Sequence, residues 1–362
     1  MIGRLNLTEL IAKHQTLESA IQGGREGFLS DWNGGHPFVT RFLGAGFAES
    51  ILESDLSEYI YFDDQQDVIS AICRFHRLAE GLSLAPANVL AGPGSSSILV
   101  ALSLWLLQTG VEEVFYIPPL YYTFHFFLKS LKIRLRPVTG HHCFEDACVL
   151  NLPPRKAALL MTDPIWYAGR RLTAGQVETV AKWQKKTGSF VLVDGSFQYM
   201  QWAATRHEYT SALLLDRTFR LISPTKSLAI PAFRFAYLIH PAEVHARLLF
   251  LYESIVGGAN ASDLSFARRA LHLLCSQGCN RLLTEFLEST YSQLIENKII
   301  GEAVRPDCGY FAFAIPNKAA QDRSSNAVMT QDYFELRGYP NCIRLNLMTA
   351  YRLYLANSAR IA

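Results

Sequence analysis

Through the middle of the chain, short apolar runs alternate with longer amphipathic stretches, and this alternation constrains the fold more than any other feature. The runs Glu113–Ile117, Ile133–Pro137, Ala157–Met161, Phe190–Val193, Thr218–Ile222 and Phe235–Ile239 have strand length and composition. Between them, Ser96–Leu107, Thr123–Lys129, Ala174–Lys186 and Pro241–Val256 carry helical patterns. Thr173 can cap the third of these, its hydroxyl accepting from an orphan backbone N–H. Parallel neighbours need long crossovers, so strands separated by helices build a mostly parallel sheet covered by helices. After residue 255 the character changes: a helical segment, Asp263–Ile299, leads to short alternating stretches at Tyr310–Ala314 and Ile343–Leu347. The expected architecture is therefore α/β, a large domain over residues 45–255 with a mostly parallel central sheet. A small α+β domain joins residues 1–44 to 256–362.

Composition removes several function classes. At 362 residues and 49% hydrophobic content the chain buries a sizeable core, which excludes intrinsic disorder. The formal net charge is +2 and no Lys/Arg block stands out, so no nucleic-acid partner is expected. No apolar run reaches the roughly 18 residues of a membrane span, and Ile98–Leu107 reads as a buried helix. The N-terminal MIGRLNLTELIAKHQ has no signal-peptide apolar region. Seven cysteines, an odd number with no CxxC pair, fit a reducing cytoplasm. His141, His142, Cys143 and Cys148 lack a second ligand pair at zinc-like spacing, so they read as a polar loop and no metal is expected.

The densest chemistry lies in Leu221–Tyr237, LISPTKSLAIPAFRFAY. A strand delivers Lys226 into a Ser/Thr/Pro turn, with Arg234 eight residues on. An amine that attacks a carbonyl needs a desolvated place of this kind, while Ser223, Thr225 and Arg234 suit a phosphate. Taken alone, Lys226 reads as a solvated loop lysine beside a surface arginine. Upstream, the apolar run Phe190-Val-Leu-Val ends in Asp194, a charge costly to bury unless it caps a helix or meets a cation. Gly94-Ser95-Ser96 opens a helix, an anion site by geometry. Tyr121 follows a strand and can stack on a flat ring or simply pack in the core.

In this order the segments resemble the fold-type I pyridoxal-phosphate enzymes of the class I/II aminotransferase superfamily, and histidinol-phosphate aminotransferases among them. The resemblance runs from Asp31 to Leu347. It implies pyridoxal 5'-phosphate as cofactor, held by Lys226 as a Schiff base, with Asp194 on the pyridine nitrogen and Tyr121 stacked on the ring. Gly94, Ser95, Ser96, Ser223, Thr225 and Arg234 would hold the phosphate. Tyr61 stands where relatives place a tyrosine that reaches the phosphate of the partner subunit, which implies a homodimer. Cys308-Gly-Tyr-Phe311 and Asn341-Cys-Ile-Arg344 resemble the small-domain motifs, with Arg344 the clamp for a substrate carboxylate. Gly34-Gly35 resembles the glycine turn that closes over substrate, placing Gly35 among the substrate-binding residues.

The chain departs from the family at two cofactor-binding positions. Trp166, in Asp163-Pro-Ile-Trp166-Tyr-Ala-Gly169, stands where relatives carry an asparagine bonded to the cofactor's phenolic oxygen. Phe197 stands where they carry a tyrosine to the same oxygen. Losing donors to a phenolate disfavours its charged form; Tyr199, Tyr167 or a water are the candidate replacements. Ala232 also replaces a glycine two residues before Arg234. The resemblance implies amino transfer between an amino acid and a keto acid. The same cofactor also serves elimination or replacement, cyclisation, oxidation and decarboxylation, reactions found in specialised biosynthesis; a non-catalytic protein retaining the fold is the third reading.

Overall fold

The computed structural model describes residues 34–35, 48–49, 57, 59–62, 65–203, 208–275, 278–318, 329–330 and 335–350. In chain order these form α1 (Gln66–Glu80), β1 (Val89–Gly92), α2 (Ser95–Gln108), β2 (Glu113–Tyr116), α3 (Tyr122–Ser130), β3 (Arg134–Pro137) and β4 (Ala158–Thr162). There follow α4 (Ala174–Thr187), β5 (Phe190–Gly195), β6 (Thr218–Ile222), α5 (Pro224–Ser227), β7 (Ala236–Ile239), α6 (His245–Val256), α7 (Ala261–Cys275) and α8 (Gly278–Glu296). Strands β8 (Ile300–Val304), β9 (Phe311–Pro316), β10 (Met329–Thr330) and β11 (Ile343–Asn346) come next.

Seven strands form the central sheet in the order β1-β7-β6-β5-β4-β2-β3. β2 pairs in parallel with β3 and β4, β4 with β5, and β5 with β6. Only β7 runs against its neighbours, pairing antiparallel with β1 and β6. The expected mostly parallel α/β sheet is thus present. Strands β4 and β6 are buried along their whole length, as a sheet covered on both faces requires. Helix α1 turns Val68, Ile69, Ile72 and Phe75 inward at one-face spacing and ends on Gly81 in the left-handed region. Thr173 caps α4 as expected, its hydroxyl accepting from Gln176 N at 3.1 Å while Gln176 Oε1 accepts from Thr173 N at 2.9 Å. The second sheet is antiparallel, in the order β10-β11-β9-β8.

Three local expectations change. The stretch Asp263–Ile299, expected as one helical segment, carries two helices, α7 and α8. Pro241–Val256 begins with a 3-10 turn at Ala242–Val244 before α6 starts at His245. Edge strand β1 and helix α1 lie outside the elements expected from the sequence. Of residues 1–44, expected to pack with the small domain, all but Gly34 and Gly35 lie outside the described residues. Among the described residues no helix is long and apolar enough to cross a membrane.

One face of the sheet buries an ion network. Arg220 on β6 donates from Nη2 to Glu80 Oε2 at 2.6 Å and to Tyr199 Oη at 2.8 Å. His76 bonds Glu80 at 2.9 Å and Tyr237 Oη at 2.8 Å. Burial pushes the Glu80 carboxyl up, but Arg220 and the His76 bond outweigh it and hold it low. Removing one partner of such a pair strands the other charge in the core. Arg220→Met is expected to cost about 3–5 kcal/mol of stability, read as a lowered denaturant midpoint.

Candidate active site

The parallel strands all end at one edge of the sheet, where open α/β sheets form their ligand crevice. A cavity of about 230 Å³ lies there. Lining it are Gly94, Ser95 and Ser96 at the start of α2, Tyr121 after β2, and Asp194 at the end of β5. Trp166, Phe197, Ser223, Thr225, Lys226 and Arg234 complete the set of expected residues that the fold brings together. Segments more than a hundred residues apart in sequence meet here because each sits at a strand end.

Lys226 lies on α5, the single helical turn that Pro224 starts after β6. Its Nζ donates to Tyr310 Oη at 3.2 Å and stands 5.7 Å from the centre of the Phe197 ring. Burial lowers the amine's pKa to about 8; Arg234 and Arg344 add to the effect and Asp194 opposes it. The result is a lysine that gives up its proton more readily than one in water. Asp194 Oδ1 accepts from Ser196 N at 3.1 Å and from Ser196 Oγ at 2.6 Å, which fixes the carboxyl plane. Burial raises its pKa, against the Ser196 bonds and the charge of Lys226.

Gly94 has φ +73° and a Cβ there would stand 2.8 Å from Arg234 Nη2. Glycine therefore both accepts the backbone geometry and lets the guanidinium lie against the turn. Ser223 and Thr225 share a hydroxyl hydrogen bond of 3.0 Å on the other side. Hydroxyls, a guanidinium and a helix N-terminus together form a site for a dianion. Tyr121 and Asp194 offer a flat face and a buried negative charge. A phosphorylated aromatic ring with a protonated ring nitrogen fits this set of groups.

Arg344 on β11 is fully buried, its guanidinium carbon 4.3 Å from the centre of the Phe311 ring and 5.4 Å from that of Trp166. It flanks the cavity without lining it. Gly35 is partly buried and also outside the lining; its neighbour Gly34 packs against the Tyr310 ring. Tyr61 does not line the cavity either: it is 60% exposed and stacks on Tyr59. Tyr122, Thr162 and Ser196 line the cavity unanticipated. Ser196 could have been found from Asp-Gly-Ser, since a serine two residues after a carboxylate commonly bonds back to it. Tyr310, in the already noted Cys308-Gly-Tyr-Phe311, had no local signal of its contact with Lys226.

The structure removes two candidate donors. Tyr199 donates to Glu80 Oε1 at 2.9 Å and accepts from Arg220, within the buried ion network. Tyr167 bonds His142 Nδ1.

Comparison with known proteins agrees with this geometry. Residues 45–270, more than half of the chain, match the family described as aminotransferase class I and II. A search of curated proteins gave no significant sequence match. Among solved structures, a Thermus thermophilus aspartate aminotransferase double mutant superposes with a TM-score of 0.75 at 15% identity, over 98% of this chain and 96% of that one. N-succinyldiaminopimelate aminotransferase from Mycobacterium tuberculosis gives 0.73 at 18% identity, over 95% and 96%. YbdL from Escherichia coli, identified with a methionine aminotransferase function, gives 0.71 at 15% identity, over 94% and 96%. The chain belongs to the class I and II aminotransferases, transferases whose cofactor is pyridoxal 5'-phosphate.

Proposed function

We infer that the protein transfers an amino group between an α-amino acid and a keto acid, with Lys226 as the residue that bonds the cofactor's aldehyde. The observation that carries this reading is the meeting of Lys226, Asp194, Arg234 and the α2 N-terminus around one cavity. When bound, pyridoxal phosphate supplies an electron sink for the bonds at the substrate's α-carbon. The chain's own residues supply the rest. Ser95, Ser96, Ser223, Thr225 and Arg234 anchor the phosphate, and Tyr121 supports the ring face. Asp194 keeps a proton on the ring nitrogen. Lys226 would take and return the proton at the α-carbon, a role that the lowered pKa of its amine in the free chain favours. Arg344 receives the substrate carboxylate. Its planar fork packs against the Phe311 ring with Trp166 nearby, a setting that favours one orientation of the carboxylate.

The division into a large domain over 45–255 and a small one over 1–44 and 256–362 puts Lys226 on the first and Arg344 on the second. The substrate carboxylate would then bridge them. A homodimer in which the exposed Tyr61 reaches the neighbouring site is consistent with its position outside its own cavity. Free thiols at Cys73, Cys143, Cys148, Cys308 and Cys342 fit a cytoplasmic location.

One observation favours a second reading. Trp166 and Phe197 both line the cavity, so two large aromatic side chains stand where relatives carry an asparagine and a tyrosine. Such a site suits another reaction of the same cofactor on an amino acid, such as elimination, replacement, cyclisation, oxidation or decarboxylation. A spectrophotometric screen of amino acids, with mass analysis of products, separates the two. Transamination is expected to convert the bound cofactor to its amino form and release a keto acid. Turnover that never yields the amino form rejects transamination. A protein with no visible band and no borohydride-trapped adduct rejects the cofactor assignment to Lys226.

A further inference from the structure

Relatives place two polar groups on the cofactor's phenolic oxygen, and this chain carries Trp166 and Phe197 in their places. Three of the hydroxyls that line the cavity bond neighbouring side chains. Ser196 donates to Asp194, and Ser223 and Thr225 bond each other. Tyr199 and Tyr167 belong to buried clusters elsewhere, around Arg220 and His142. Tyr310, just outside the lining, places its hydroxyl 3.2 Å from Lys226 Nζ, as that amine's hydrogen-bond partner among the described residues.

The ring that carries this hydroxyl is held tightly. Tyr310 is fully buried immediately before β9, with the Phe197 ring 5.1 Å away at a steep angle and the Phe311 ring at 4.6 Å. Gly34 covers it so closely that a Cβ there would come within 2.7 Å of the phenol. Phe197 thus presents a bare ring, and the adjacent Tyr310 presents the hydroxyl from another element. In pyridoxal phosphate the phenolic oxygen is ortho to the aldehyde. A group within hydrogen-bond reach of the lysine nitrogen that bonds this aldehyde can therefore reach the phenolic oxygen from the same side.

We propose that Tyr310 replaces the missing polar partners: its hydroxyl holds the Lys226 amine in the free protein and donates to the cofactor's phenolic oxygen in the loaded one. This rests on the assignment of Lys226 made above. The two contacts have opposite electrostatic consequences. In the free protein the phenol accepts from the ammonium and favours its charged form. In the loaded protein it donates to an oxygen and favours the anion.

Tyr310→Phe tests both. In the cofactor-free protein the Lys226 pKa is expected to fall by about one unit, the scale of one hydrogen bond to a charged group. It can be followed by NMR after reductive methylation with labelled formaldehyde, with Lys226→Met identifying the resonance. In the loaded protein the pH midpoint of the visible cofactor band is expected to rise by a similar amount. The double variant Phe197→Tyr/Tyr310→Phe, which returns a hydroxyl to the position relatives use, is expected to bring that midpoint back. A disturbance of packing alone gives neither opposite shifts nor rescue. Unmoved titrations, or shifts of the same sign, in a protein that still takes up cofactor overturn this proposal alone. A wild-type protein that takes up no cofactor overturns the functional reading and this proposal with it.

Discussion

Lys226→Ala is expected to lower turnover by about 10⁴-fold, the upper end for loss of one positioned acid–base group, and to abolish borohydride trapping of cofactor. The phosphate site remains, so the variant should still bind pyridoxal phosphate reversibly. The loss is not one of folding. Burial lowers the amine's pKa from 10.5 to about 8, so between these values the unfolded chain binds more protons than the native one. Stability therefore falls as pH drops from 10.5 towards 8, and below that range the native state carries the full cost of a buried charge. Removing the amine removes this cost, and the melting temperature of the cofactor-free variant at pH 7 should not fall below that of wild type. The same pKa sets the pH dependence of cofactor capture, because only the uncharged amine attacks an aldehyde. The uptake rate should rise with pH up to about 8 and level off above it. A variant with wild-type turnover, or a capture rate that falls with rising pH, rejects the role of Lys226.

Much of this site was legible because its residues sit where periodicity changes. Asp194 ends an apolar run, Lys226 follows another, and Gly94-Ser95-Ser96 stands at a helix start; each position can be read within ten residues of sequence. Strand direction could not be read this way. The apolar pattern of Phe235–Ile239 is the same whichever way the strand runs, and β7 proved antiparallel. Contacts between distant segments were equally silent. Lys226 and Tyr310 are 84 residues apart, and Arg220 and Glu80 are 140 apart. A buried arginine inside an apolar strand marks a need for a partner but does not name it. Tyr199 and Tyr167 illustrate the same limit: proximity in sequence to the site suggested a role, while packing assigned both to other clusters.

Asp194→Asn is expected to retain cofactor but lose about 10²–10³-fold in turnover, the usual result of removing one preorganised electrostatic group. Asparagine keeps the shape, and its Oδ1 can still accept from Ser196 N and Oγ, so the local turn survives. What disappears is the charge. Burial raises the Asp194 pKa, which means that the ionised carboxylate is costly in the free protein and gains most from a cation placed beside it. A protonated ring nitrogen is such a cation, and it withdraws electrons from the substrate only while the proton stays on. Without the carboxylate the proton leaves, and the ring becomes a weaker sink even though it is still anchored by its phosphate. Stability moves the other way. A folded-state pKa above the unfolded value means that stability is lost as pH rises through the titration, so the neutral amide should match or exceed the aspartate in denaturant midpoint at neutral pH. A kinetic defect with undiminished stability identifies Asp194 as a group kept for the cofactor at a cost to the fold; a variant that unfolds, or one that turns over normally, identifies it as part of the scaffold.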